Sequence, residues 1–128
     1  MSGDDPFEAL RGRTKAYASR IIKLYTYLQQ QHHFDSAAMV IGKQLLRSGT
    51  SVAANHREAK YARSPADRLA KFAIILQELE ESALWIELLA EHEMAHDEGL
   101  SSLLDETNQL IGIFVASTKT LRGNRPTS

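Results

Sequence analysis

Apolar residues along this chain recur at alternating steps of three and four. Phe7, Leu10, Thr14, Tyr17, Ile21, Leu24 and Leu28 form the first series, which is one face of an amphipathic helix. Asp5-Pro6-Phe7-Glu8 precedes it with a capping carboxylate, a proline at the first helical position and a glutamate at the third. That arrangement predicts a helix over about residues 6–31. The stretch QHHFDS breaks the period. Asp35 is placed there to cap a second helix, with Phe34 and Met39 at the spacing of a hydrophobic staple. Ile41, Leu45, Val52 and Ala59 carry that helix over about residues 36–61. Ser64-Pro65-Ala66-Asp67 opens a third helix, and Leu69, Phe72, Leu76, Leu79, Ala83, Ile86 and Ala90 extend it to about residue 96, with Gly99 as its stop. Ser102-Leu103-Leu104-Asp105 reads as the cap of a fourth helix over about residues 102–121, through Leu104, Thr107, Ile111, Phe114, Thr118 and Leu121. Residues 122–128 are expected to fray. No segment alternates with the period of a strand. Four long helices on short connections predict an all-α, antiparallel up-down four-helix bundle, formed by all 128 residues as one domain.

The second helix departs from a simple two-faced pattern. Gln44, Arg47, Ser48, Ser51, Asn55 and Glu58 fall within an arc of roughly 100° that borders its core face. On the third helix Glu78, Ser82, Trp85 and Leu89 make a matching stripe. Half-buried carboxylates need partners, and Arg47 can supply a bidentate one to Glu78 or Glu81. The arrangement reads as a polar network that fixes helix register. Met39, Leu46 and Ala53, seven apart, give the same helix a second apolar strip. A helix with two apolar strips in so small a bundle is expected to share one with another subunit, so a homo-oligomer is predicted.

Charge is distributed unevenly. Residues 1–71 hold 12 Lys/Arg against 6 Asp/Glu, whereas residues 72–118 hold 10 acids and neither lysine nor arginine. Net charge is nevertheless −1. Such polarity serves either to pair basic helices with acidic ones or to offer a basic face to nucleic acid. Arg11, Arg13, Lys15, Arg20 and Lys23 on the first helix, with Arg57, Lys60 and Arg63 at the end of the second, are the candidate partner or phosphate contacts. The chain has no cysteine, which excludes disulfides and thiolate metal sites. No apolar run is long enough to span a membrane, and the N-terminal stretch lacks the pattern of a signal peptide. A cytoplasmic location is expected.

The run GKQLLRSGTSVAANHREAKYARSPAD (42–67), followed by KFAIILQELEESALWIELL (71–89), resembles the bacterial "four helix bundle protein" family. That family includes proteins encoded within intervening sequences of large-subunit ribosomal RNA genes. It is related to the accessory variability protein of diversity-generating retroelements. The shared pattern is Gln-x-x-Arg-(Ser/Ala)-x-x-Ser-x-x-x-Asn-x-x-Glu, then a helix with an acidic pair and a tryptophan. It falls here on Gln44, Arg47, Ser48, Ser51, Asn55 and Glu58, then on Glu78, Glu81 and Trp85. The resemblance implies an up-down bundle assembled as a ring, typically a pentamer. For the retroelement relative it implies binding of nucleic acid and a reverse transcriptase through a basic ring surface. The slightly acidic net charge departs from that relative.

One motif points elsewhere. His92-Glu93-Met94-Ala95-His96 has the form H-E-x-x-H, in which a helix carries two zinc-binding histidines and a general base. Catalytic zinc needs a third protein ligand, and no histidine follows His96. His92 and His96 are therefore read as exposed residues near a helix end rather than as metal ligands, and His56 as a histidine packed inside the second helix. No cofactor and no small-molecule substrate is predicted. The chain reads as a non-enzymatic, oligomeric interaction or accessory module. Its partner would be a protein or a structured nucleic acid, with a nucleic-acid accessory factor as the alternative and a zinc hydrolase as the remote one.

Overall fold

Local capping decides where the helices begin. In a computed structural model, which describes residues 5–123, Asp5 accepts from the Phe7 N–H at 2.9 Å, Asp35 from Ala38 at 3.1 Å and Ser64 from Asp67 at 3.1 Å. Each satisfies an amide that the helix itself leaves unpaired. The elements are α1 (Pro6–His32), α2 (Ser36–Ala59), α3 (Pro65–Glu91) and α4 (Asp97–Gly123). Within the expected frayed tail, Arg122 and Gly123 are helical, and residues 124–128 lie outside the described part. Phe34 makes no staple. It is 91% exposed and tilts against the His33 ring instead.

Three sets of contacts fix the antiparallel order. Gly49 and Gly42 on α2 face Ile21 and Leu28 on α1. Arg47, Ser48 and Glu58 on α2 meet Glu78, Ser82 and Lys71 on α3. Arg13, Tyr17 and Arg20 on α1 reach Glu106, Thr107 and Ser102 on α4. Tyr17, Ile21, Leu28, Leu45, Val52, Ile75, Leu79, Ile86, Leu110 and Phe114 fill the centre. The predicted periodicity holds on α1 and α2. On α3 and α4, Ile75, Leu103 and Leu110 are the core residues where the predicted stripes had Leu76, Leu104 and Ile111, which are only half-buried. The backbones of α1 and α4 approach closely at few points, so long side chains rather than close packing bridge that seam. No helix among the described residues is long and apolar enough to cross a membrane.

The third and fourth helices depart from their expected bounds. α3 stops at Glu91, and α4 begins at Asp97, five residues before the expected cap at Ser102. Glu93 adopts φ 55°. The Glu93 N–H bonds the Ala90 carbonyl at 3.1 Å, and the Met94 N–H bonds that of Leu89 at 2.9 Å. This pair of bonds is a Schellman stop, and Met94 folds back into the core with Leu89 to complete it. Gly99 is thus inside α4. The His96 carbonyl closes its first turn, accepting from the Leu100 N–H at 3.1 Å.

A non-glycine residue in the left-handed region costs about 1–2 kcal/mol. Glu93→Gly is therefore expected to raise the unfolding free energy by about 0.5–1 kcal/mol, part of the relief being offset by glycine's freedom in the unfolded chain. Urea denaturation should show a higher midpoint at unchanged slope. A lower midpoint would mean that the Glu93 side chain makes a contact worth more than the strain.

Candidate functional site

The family-pattern residues separate into three contacts along the α2–α3 seam. On its outer side Arg47 Nη1 donates to both oxygens of Glu78 at 3.1 and 3.3 Å, and Nη2 to both oxygens of Glu81 at 3.2 and 3.3 Å. Gln44 Oε1 lies at the edge of this cluster, 3.5 Å from Arg47 Nε. The guanidinium is half exposed, whereas Glu78 is mostly covered. The pairing is electrostatically lopsided. The hydrogen bonds that Arg47 donates to Glu78, and then to Glu81, raise its pKa against the effect of burial. Burial, with Glu81 alongside, outweighs Arg47 and holds the Glu78 carboxyl above its ordinary value.

Deeper in the seam the buried Ser48 and Ser82 hydroxyls share a 2.7 Å hydrogen bond. Ser82 also donates to the Glu78 carbonyl at 2.9 Å. Toward the α2–α3 loop Lys71 donates to Glu58 at 2.6 Å. Asn55 joins neither carboxylate. Its amide donates to the Ser51 carbonyl one turn back, at 2.9 Å. Trp85 is half buried, and its indole N–H has no partner among the described residues. The band is thus a register lock on α2–α3 rather than a continuous site: its ions pair with each other and its hydroxyls are enclosed.

Sequence separation hid the corresponding lock on α1–α4. Arg13 donates through Nε and Nη2 to the two oxygens of Glu106, both at 2.8 Å, and through Nη2 to Gln109 at 2.7 Å. This bidentate grip holds the Glu106 carboxyl below its ordinary value against the opposing effect of burial. Behind it the Tyr17 and Thr107 hydroxyls meet at 2.7 Å inside the core. Arg13 thus ties α1 to α4 while its side chain stays partly exposed.

The other basic candidates are divided between seams. Arg20 bends to Ser102 at 3.0 Å, and Lys60 lies 3.8 Å from Glu8. Among the described residues Arg11, Lys15, Lys23, Arg57 and Arg63 take no part in a side-chain ion pair. The predicted single basic side of α1 is split, with Arg13 and Arg20 turned to α4.

The histidine motif does not assemble. His92 is the C-cap of α3 and His96 the residue before α4, so the Schellman turn between them removes the common helix face that H-E-x-x-H requires. His92 lies 3.5 Å from Glu91, and His96 tilts against Tyr27 with ring centres 5.5 Å apart. Among the described residues no group of three or more His, Cys, Asp or Glu side chains is placed to hold a metal ion. His56 is 1% exposed. It stacks on Phe7 at 4.1 Å and meets Phe114 edge-on at 5.8 Å.

Met39, Leu46 and Ala53 are each partly exposed on α2, beyond the glycines that receive α1. Ile22, the neighbour of the Ile21 that meets Gly49, is 49% exposed. These residues leave a half-covered apolar band on the outer side of the α1–α2 pair.

The model of the 23S rRNA-intervening sequence protein family matches residues 11–116, and the chain belongs to that family. A crystal structure from Bacteroides thetaiotaomicron VPI-5482, of a protein with unknown function from the S23 ribosomal protein family, is 33% identical with a TM-score of 0.79. The match covers 85% of this chain and 97% of that one. No curated protein matches the chain at a significant level.

Proposed function

We propose that this 23S rRNA-intervening sequence family member is a non-enzymatic, self-associating interaction module of the cytoplasm. Copies of the bundle join as a closed ring, with a pentamer favoured, and display one repeated surface to a protein or structured nucleic-acid partner. The observation that carries the reading is the half-covered band of Met39, Leu46, Ala53 and Ile22. Apolar area left on a bundle whose core is otherwise filled is what a subunit contact removes from water. A closed ring then multiplies a weak surface into avidity. The groups with the most chemistry support the same view, since Ser48, Arg47, Arg13 and His56 are all engaged in packing or register. The exposed Lys15, Lys23, Arg57 and Arg63, with the half-buried Arg11, would supply the partner contacts.

Native mass tests the assembly. The wild type is expected at a multiple of 14.3 kDa. Ala53→Glu, which puts a charge in the band of every subunit, should reduce it to the mass of one chain with the helical circular dichroism unchanged. A wild type that stays at one chain's mass at micromolar concentration, or a variant that assembles as before, would refute this role for the band. Binding of structured RNA that weakens steeply with salt and with Lys15→Glu would identify the partner as nucleic acid.

A further inference from the structure

The wide α1–α4 seam opens, beside the α3–α4 turn, into a cleft of about 300 Å³. That volume is at the lower end of the range for small-molecule sites. Leu24, Leu100 and Leu103 form its floor, and the latter two are core residues. The tilted rings of Tyr27 and His96 form one wall. Arg20 and Lys23 stand at its rim, and no carboxylate among the described residues lines it. Arg20 is held there by one bond to Ser102 at 3.0 Å, which leaves most of its five donors for a ligand. Lys23 is exposed and takes part in no ion pair among the described residues. Asp97 and Glu98, in the first turn of α4, are exposed and outside the lining.

An apolar floor under two cations selects one ligand class. A neutral apolar molecule gains only the floor, and a small inorganic ion gains only the rim. We infer that the cleft binds a small organic anion with an apolar body, an aryl or alkyl carboxylate or sulfonate. Its body would lie on Leu24, Leu100 and Leu103 and its charged end between Arg20 and Lys23. Charge-assisted hydrogen bonds at the edge of an apolar site are the strong, orienting ones. The site belongs to a single chain and does not depend on assembly.

The first probe is 8-anilino-1-naphthalenesulfonate, titrated into the full-length protein by fluorescence. N-phenyl-1-naphthylamine, with the same body but no sulfonate, is the control. Saturable binding at one site per chain is expected, with the neutral compound about tenfold or more weaker. Gly99 lines the cleft, and a Cβ there would meet nothing within 4 Å. Gly99→Leu should therefore fold normally, fill the space and abolish binding. Lys23→Gln should weaken the sulfonate by about tenfold and leave the neutral compound unchanged. Equal affinity for both compounds would overturn the assignment. So would unchanged sulfonate binding by a Gly99→Leu variant with native circular dichroism. If that variant misfolds, the exposed Lys23→Gln decides alone, and unchanged affinity there refutes the cleft.

Discussion

Gly49→Leu is expected to cost about 3 kcal/mol or more and to open the α1–α2 pair, measured as the drop in urea midpoint. A Cβ on Gly49 would fall well inside van der Waals contact with Ile21 Cδ1, and within 3.3 and 3.4 Å of Cγ1 and Cγ2. Ile21 is fully buried and β-branched, so it has few rotamers into which to retreat. Seven residues, about two helical turns, earlier, a Cβ on Gly42 would meet Leu28 Cδ1 at 3.0 Å and Tyr25 Cδ1 at 3.2 Å. The two glycines form a trough that lets α1 lie close against α2. Overpacking a filled core costs about 1–3 kcal/mol for a few extra methylenes, and leucine adds four carbons at the tightest point.

The same logic reverses the usual effect of alanine. At Gly112, on the exposed side of α4 with nothing near its Cβ, alanine should stabilise by about 0.5–1 kcal/mol through helix propensity. At Gly49 the clash should outweigh that gain and lower stability. If Gly49→Ala raises the midpoint as Gly112→Ala does, the trough does not set the helix spacing.

How much of this was visible in the sequence depends on how local each cause is. Asp5-Pro6, Asp35 and Ser64-Pro65 act within one turn, so three helix starts could be read from them. The end of α3 could not. Its stop uses Glu93 in a conformation normally left to glycine, stabilised by Met94 reaching the core beside Leu89, and that contact depends on the folded bundle. Gly99 attracted the boundary because it is the nearest glycine, although the helix had already restarted. On α2–α3 the Arg47–Glu78 pair was legible, since complementary charges lay on facing stripes of consecutive helices. Arg13–Glu106 was not, because α1 and α4 become neighbours only on closure. The glycine trough did have a signal: Gly42 and Gly49 are seven apart on the core face of a helix, where two missing side chains imply a close neighbour. The H-E-x-x-H match failed for one reason. The motif presumes an unbroken helix, and its second residue is where this helix turns out of register.

Lowering the pH from 7 to 4 is expected to remove about 3 kcal/mol of stability through His56 alone. Burial first, and then the positive charges of Arg11, Arg57 and Arg68 against a small opposing effect of Glu8, depress its pKa from 6.5 to about 4. Its Nδ1 has no hydrogen-bond partner among the described residues, and the ring lies between Phe7 and Phe114, so burial among apolar rings outweighs the small support that Glu8 gives an imidazolium. The sign follows from proton counts. Between about pH 6.5 and 4 the unfolded chain binds a proton at this residue that the folded chain refuses. Stability is full above the unfolded value, falls as pH drops through that window and levels off below the folded value. A shift of this size corresponds to about 3 kcal/mol, a large part of the 5–15 kcal/mol typical of a domain.

His56→Leu isolates the effect, because Glu106 and Glu78 titrate identically in both proteins. At pH 7 the variant should lie within about 1 kcal/mol of the wild type, as the lost ring stacking is offset by removal of an unpaired polar atom. At pH 4 it should be the more stable protein by about 3 kcal/mol. Parallel losses in the two proteins would place the acid sensitivity in the carboxylates instead. A histidine buried in the core in this way ties the integrity of the bundle to pH, and any assembly built on that bundle inherits the same dependence.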